Sequence, residues 1–155
     1  MKFVRIPAIL LSLGALLGCS AAVAAEPVDV VQQLYAEPGL ALGAEGAQQV
    51  LASDLARALH TAAARAGGAS PVDFDYRYGF KDVEISGFAL LPQVDNDRAK
   101  VVAVFKNFGK PESVDWSLCR APDGAWRVTD ASSNTGPEAW DLRQLLGLRL
   151  DQVSC

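Results

Sequence analysis

Near Asp82 the apolar residues of this chain stop recurring at intervals of three and four and begin to alternate, and this change limits the fold more than any other feature. Helices belong upstream of it and strands downstream. The expected product is an α+β domain in which leading helices cover one face of an antiparallel sheet. A chain of 155 residues has room for one such core, so a separate cofactor module is excluded.

Upstream, Val31, Leu34 and Tyr35 mark one face of a short helix over 28–36 that begins just after Pro27. Pro38, Gly39 and Gly43 break it. A second, continuous helix is expected over 45–66, with Val50, Leu51, Leu55, Leu59 and Ala62 on one stripe and Gly67-Gly68 at its end. His60 then points away from that stripe into water.

Downstream, Val83 and Ile85 share one parity while Phe88 and Leu90 share the other, so a bulge is expected at Gly87. Asp95-Asn96-Asp97 is a turn, since the later ligands of a calcium loop are missing. Residues 99–105 are apolar on both parities and read as a central strand, followed by a turn over 107–111. Val114, Trp116 and Leu118 face inward there, with Asp115, Ser117 and Cys119 outward. Pro122-Asp123-Gly124 makes a hairpin into 126–130 and completes a four-stranded meander. Thr135-Gly136-Pro137-Glu138 reads as the capping box of a last helix whose Leu142, Leu145 and Leu146 pack on the sheet.

The first 25 residues read as a leader. Lys2 and Arg5 precede an apolar run over 6–18 and a small-residue stretch over 19–25, the pattern of a secretory signal peptide. The run is too short to span about 30 Å of hydrocarbon, which takes about 20 helical residues. Two processing routes fit: ordinary cleavage after Ala25 gives a soluble periplasmic product, and lipobox cleavage at Cys19 gives a lipid-anchored one. The mature part, 26–155, is a single α+β domain on either route. Cys119 and Cys155 then remain as an even pair in an oxidising compartment, and a disulfide between them is expected.

Losing Lys2 and Arg5 leaves 12 basic against 18 acidic side chains, which argues against nucleic acid as a partner and leaves the Cys19 lipid as the only route to a membrane. With one His and one Met in the whole chain, and no zinc, phosphate-loop or serine-hydrolase motif, neither a metal nor a cofactor is expected.

Two helices followed by a bent antiparallel meander resemble the nuclear-transport-factor-2-like, cystatin-like cone. The stretches AKVVAVFKNFGKPESVDWSL, DGAWRVTDASS and WDLRQLL, with Asn107, Gly109, Trp126, Asp130, Leu142 and Arg143 as marked positions, resemble the bacterial domain-of-unknown-function family 3828 over about residues 28–148. That resemblance implies an exported envelope protein and supplies no active-site residues. The stretch SPVDFDYRYGF is richer in Tyr and acid than the family pattern.

Cavities at the wide end of such sheets are default ligand sites. Asp130 shares the parity of Trp126 and Val128, which places it at the mouth of a dry pocket as a general-base candidate, although an Asp there also suits an Asx-turn. Asp73, Tyr76 and Tyr78 fall where alternation would put the tyrosines on a binding rim, or on an edge strand packed against a helix. The expected function is non-enzymatic binding of a small molecule or peptide through Asp73, Tyr76, Tyr78, Trp126 and Asp130. A hydrolase- or isomerase-type enzyme using Asp130, or an inhibitor or immunity protein of the envelope, is the alternative. Pairing into a homodimer is compatible with each.

Overall fold

The computed structural model describes residues 25–37, 47–67, 72–136 and 138–155. The leader with Cys19, the breaking residues Pro38, Gly39 and Gly43, Gly68 and Pro137 lie outside the described residues. Helix α1 (Pro27–Ala36) starts with Pro at its first position, where the missing N–H costs nothing, and with the Asp29 carboxylate accepting the Glu26 N–H at 3.0 Å. It buries Val30, Val31 and Leu34.

The continuous second helix does not form. The chain makes one turn, α2 (Ala47–Val50), breaks, and resumes as α3 (Ser53–Arg65). Val50, Leu51 and Ala52 are all buried, and three consecutive inward residues cannot lie on one stripe of a helix. Leu51 instead forms an isolated parallel bridge with Val128, and the Ala52 N–H donates to the Val128 carbonyl at 2.8 Å. In α3, Leu55 and Leu59 face the core and His60 is exposed.

Five strands, one more than expected, form an open antiparallel sheet in the order β1-β2-β3-β4-β5. They are β1 (Ile85–Asp95), β2 (Arg98–Asn107), β3 (Lys110–Arg120), β4 (Trp126–Ser133) and β5 (Trp140–Asp141). The expected bulge is present: Gly87 has φ +63°, and the β1–β2 register shifts between Ser86 and Ala89. Ala99, Val101, Ala103 and Phe105 of β2, with Val114, Trp116 and Leu118 of β3, form the inward face under the helices. Val102 and Val104 are only half-buried, so β2 is central without being covered on both sides.

The last helix is also displaced. Thr135 does not cap it; its Oγ1 accepts the Ser113 N–H at 2.9 Å and donates to the Ser113 carbonyl at 3.3 Å, clipping the end of β4 to β3. Trp140 and Asp141 pair with Ser133 and Ser132 as β5. The single turn α4 (Leu142–Leu145) follows, with Asp141 Oδ1 accepting the Gln144 N–H at 2.9 Å. Leu142 is buried and Leu145 is exposed, so of the three expected leucines only Leu142 is a full core residue. No helix among the described residues is long and apolar enough to cross a membrane.

Arg143 follows at once and is 2% exposed. Its guanidinium donates to Asp54 Oδ2 on α3 at 2.8 Å, to the Thr129 carbonyl on β4 at 3.3 Å, and to the carbonyls of Arg149 and Gln152 in the tail at 2.9 and 2.7 Å. The tail is also held by the expected Cys119–Cys155 disulfide, whose Cα atoms lie 6.0 Å apart. Cys119 is 1% exposed despite its outward parity.

Two outcomes follow for stability. Reduction of the disulfide, which closes a sequence separation of 36, should lower unfolding free energy by about 4 kcal/mol in the loop-entropy model, read as a shift of the urea midpoint with reductant. Arg143→Ala strands the Asp54 carboxylate and the tail carbonyls and should cost about 3 kcal/mol. Arg143→Lys should recover little of it, because one ammonium cannot reach all four acceptors.

Candidate functional site

The acid- and tyrosine-rich stretch 72–81 makes a turn rather than a strand. The Asp75 N–H donates to the Phe80 carbonyl at 3.0 Å, and the Asp75 carbonyl accepts from Tyr78 and Gly79 at 3.0 and 2.7 Å. Gly79 turns the chain at φ +80°. Arg77 closes onto Asp75, with Nη2 to Oδ2 at 2.6 Å. Both ends of this turn are thereby fixed.

Such closure rotates the tyrosines inward. Tyr76 is 7% exposed, with its ring centroid 6.0 Å from that of Trp116, and burial pushes its hydroxyl pKa up to about 12. The Tyr78 ring packs 5.4 Å from both Phe105 and Tyr35. Tyr35 completes the group: its hydroxyl donates to the Arg77 carbonyl and accepts from Trp116 Nε1 at 3.1 Å. These tyrosines anchor the turn to the core, so Tyr76 is a buried core contact in place of the expected rim residue, while Tyr78 is half-buried against the core.

What the turn presents outward is different. Phe74, Phe80 and Trp140 wall a cleft of about 580 Å³ between residues 73–81 and 138–145. The Phe74 and Trp140 rings are 5.2 Å apart. Gly79 fits against the indole so closely that a Cβ there would sit 2.7 Å from Trp140 Nε1. Asp73, Lys81, Glu138 and Asp141 supply the charge. Lys81 Nζ lies 2.7 Å from Asp73 Oδ2, and this contact lowers the carboxyl's pKa and raises the ammonium's.

Behind the cleft lies Asp130. Its expected place beside Trp126 rested on shared parity, and the β3–β4 register shift between Ser117 and Leu118 breaks that parity. Trp126 and Val128 face the core, as do Ala131 and Ser133 beyond the shift, so Asp130 falls on the other face with Ser132. There Asp130 Oδ1 accepts from the backbone N–H of Ala131 at 2.9 Å and of Arg143 at 3.1 Å. Burial, then a hydrogen bond and repulsion from the Asp141 carboxyl, push its pKa up to about 7. Asp141, the carboxyl beside Asp130, is the one that lines the cleft.

Trp126 is elsewhere. It is 3% exposed, carries the Arg120 guanidinium 4.7 Å above its ring, and lines a separate recess with Gln33, Gln49 and Asp123. Of the five residues expected to form one binding site, then, Asp73 reaches the cleft and Asp130 touches it only through Asp141. Phe80, Lys81, Glu138 and Trp140 were missed. Reading 135–138 as a helix start hid the strand that brings Trp140 and Asp141 to the cleft. Among the described residues no group of three or more His, Cys, Asp or Glu is placed to hold a metal ion.

No family model, no curated protein and no solved structure matches this chain.

The raised Asp130 pKa has a definite pH signature. Asp130 has a raised folded-state pKa of about 7 against an ordinary value of 3.8, so the native state binds more protons than the unfolded chain between these limits. The contribution is fully present below the ordinary value and is lost as pH rises through about 7. Urea unfolding from pH 4 to pH 8 should therefore show stability falling with pH in wild type relative to Asp130→Asn, whose amide does not titrate. Parallel curves for the two proteins would refute the raised pKa.

Proposed function

We propose that this is an exported cell-envelope protein that uses the Phe74–Phe80–Trp140 cleft to bind a small molecule or peptide without converting it. The leader pattern over 1–25 and the Cys119–Cys155 bridge support export, to the periplasm or to a lipid anchor at Cys19. The helices-then-meander order supports the cystatin-like cone and the proposed kinship with family 3828. The observation that carries the binding reading is a preformed, aromatic-walled cleft with polar groups at its margin, of the size usual for small-molecule sites. Homodimer formation has support from β1, an edge strand that leaves Leu91 and Val94 exposed.

A second reading rests on one specific observation. The Asp130 and Asp141 carboxyls lie within hydrogen-bond reach of each other, and burial together with that neighbour raises the Asp130 pKa to about 7, as a general acid–base pair would require. In that reading Asp141 faces the substrate and Asp130 tunes it, which exchanges the roles expected from sequence.

The test is a thermal-shift screen of charged and neutral aromatic compounds against the purified mature protein. Compounds that raise the melting temperature of wild type should not raise that of Trp140→Leu. Gly79→Ala should fail in the same screen, because a Cβ at φ +80° is strained and displaces the indole; it should also lose about 1–2 kcal/mol of stability. Hits retained by both variants would place binding outside this cleft.

A further inference from the structure

Resting on that reading of the cleft, we infer that its ligand class is a small organic cation, a flat apolar group bearing a positive charge. Three carboxylates line the cleft, from Asp73, Glu138 and Asp141, against the single ammonium of Lys81. Lys81 is already engaged with Asp73 at 2.7 Å, so those two charges largely cancel. Glu138 and Asp141 remain, on the segment opposite the turn.

The apolar walls carry the same preference. Phe74, Phe80 and the half-buried Trp140 line one volume, and a cation over an indole or phenyl face is attracted by the ring's quadrupole. An anionic ligand would meet the two unbalanced carboxylates and the same negative ring faces. A neutral aromatic would gain the wall contacts alone. Beyond the cleft, Asp141 also borders a smaller recess with Ser132, Asn134 and an Asp115 that Lys100 neutralises at 2.6 Å, and the whole chain carries net charge −4. That field favours the approach of cations. A volume of about 580 Å³ suits a small molecule, and the occupant proposed is a free organic cation.

Benzamidine, benzamide and benzoate test the inference, since they share a ring and approximate size and differ in charge. Each is titrated into the purified mature protein while the Trp140 indole N–H resonance, assigned by its loss in Trp140→Phe, is followed. Benzamidine should move that resonance with an affinity about tenfold above that of benzamide, the margin of one partly solvated cation–aromatic contact joined by carboxylate attraction. Benzoate should bind more weakly than either. The Glu138→Gln/Asp141→Asn protein keeps an oxygen acceptor at the start of α4, and in it the benzamidine advantage should disappear while benzamide binding persists.

Equal binding of all three, or tighter binding of benzoate at Trp140, would overturn the cation preference and leave the cleft as a binding site. A Trp140 resonance unmoved by all three would overturn both the cation preference and the cleft reading. Benzamidine binding that survives the double variant would assign selectivity to groups other than Glu138 and Asp141, and would also overturn the inference.

Discussion

One buried guanidinium connects the parts of this molecule that the backbone ladders leave apart. The sheet from β1 to β4 is a continuous set of hairpins, and hydrogen bonds between consecutive strands are enough to assemble it. Helix α3, the middle of β4 and the tail beyond α4 have no such ladder in common. Arg143 reaches all three through Asp54, Thr129 and the carbonyls of Arg149 and Gln152. A buried charge is tolerable only with a partner and filled donors, and these contacts provide both. The backbone N–H of the same residue donates to Asp130. Residue 143 thus joins α3, β4 and the tail through its side chain and Asp130 through its backbone, within the short β5–α4 segment that forms one wall of the cleft.

The opposite wall has a different origin. Turn 72–81 is held by its own Asp75–Arg77 pair and by tyrosines that enter the core beneath it, where Tyr35 links the Arg77 carbonyl to the Trp116 indole. Local polar closure and remote aromatic packing thus point Tyr76 inward and leave Phe74 against Trp140 with Phe80 lining the same cleft. Gly79 permits the closest approach. Each wall is fixed from behind, which is the physical basis for a cleft that exists before any ligand arrives.

Much of the fold was legible because its causes are local. Gly87 interrupts an alternating pattern and gives a bulge, Pro122-Asp123-Gly124 supplies the turn its residues favour, and helix α1 lies within the stretch marked by Pro27 and its apolar spacing. The Cys119–Cys155 pairing was legible because setting Cys19 apart with the expected leader leaves an even pair. What escaped depends on partners distant in sequence. Ala52 leaves the helical pattern to bond Val128, and Thr135 leaves its capping box to bond Ser113. Asp130 changes face because the β3–β4 register slips by one residue, an event that reverses every side chain beyond it. Tyr76 was misplaced because period-two alternation was applied to a stretch that closes as a turn. The candidate site suffered most, since its two walls come from segments some sixty residues apart in sequence.

Hydrogen–deuterium exchange comparing wild type with Arg143→Leu, under conditions where both are folded, tests the central dependence directly. If the guanidinium organises the wall of the cleft, amide protection should fall across 140–152 while β1, β2 and β3 keep theirs. Unchanged protection at 140–146 in the variant would show that β5 and α4 stand without the arginine, and would contradict its role as the element that builds the cleft.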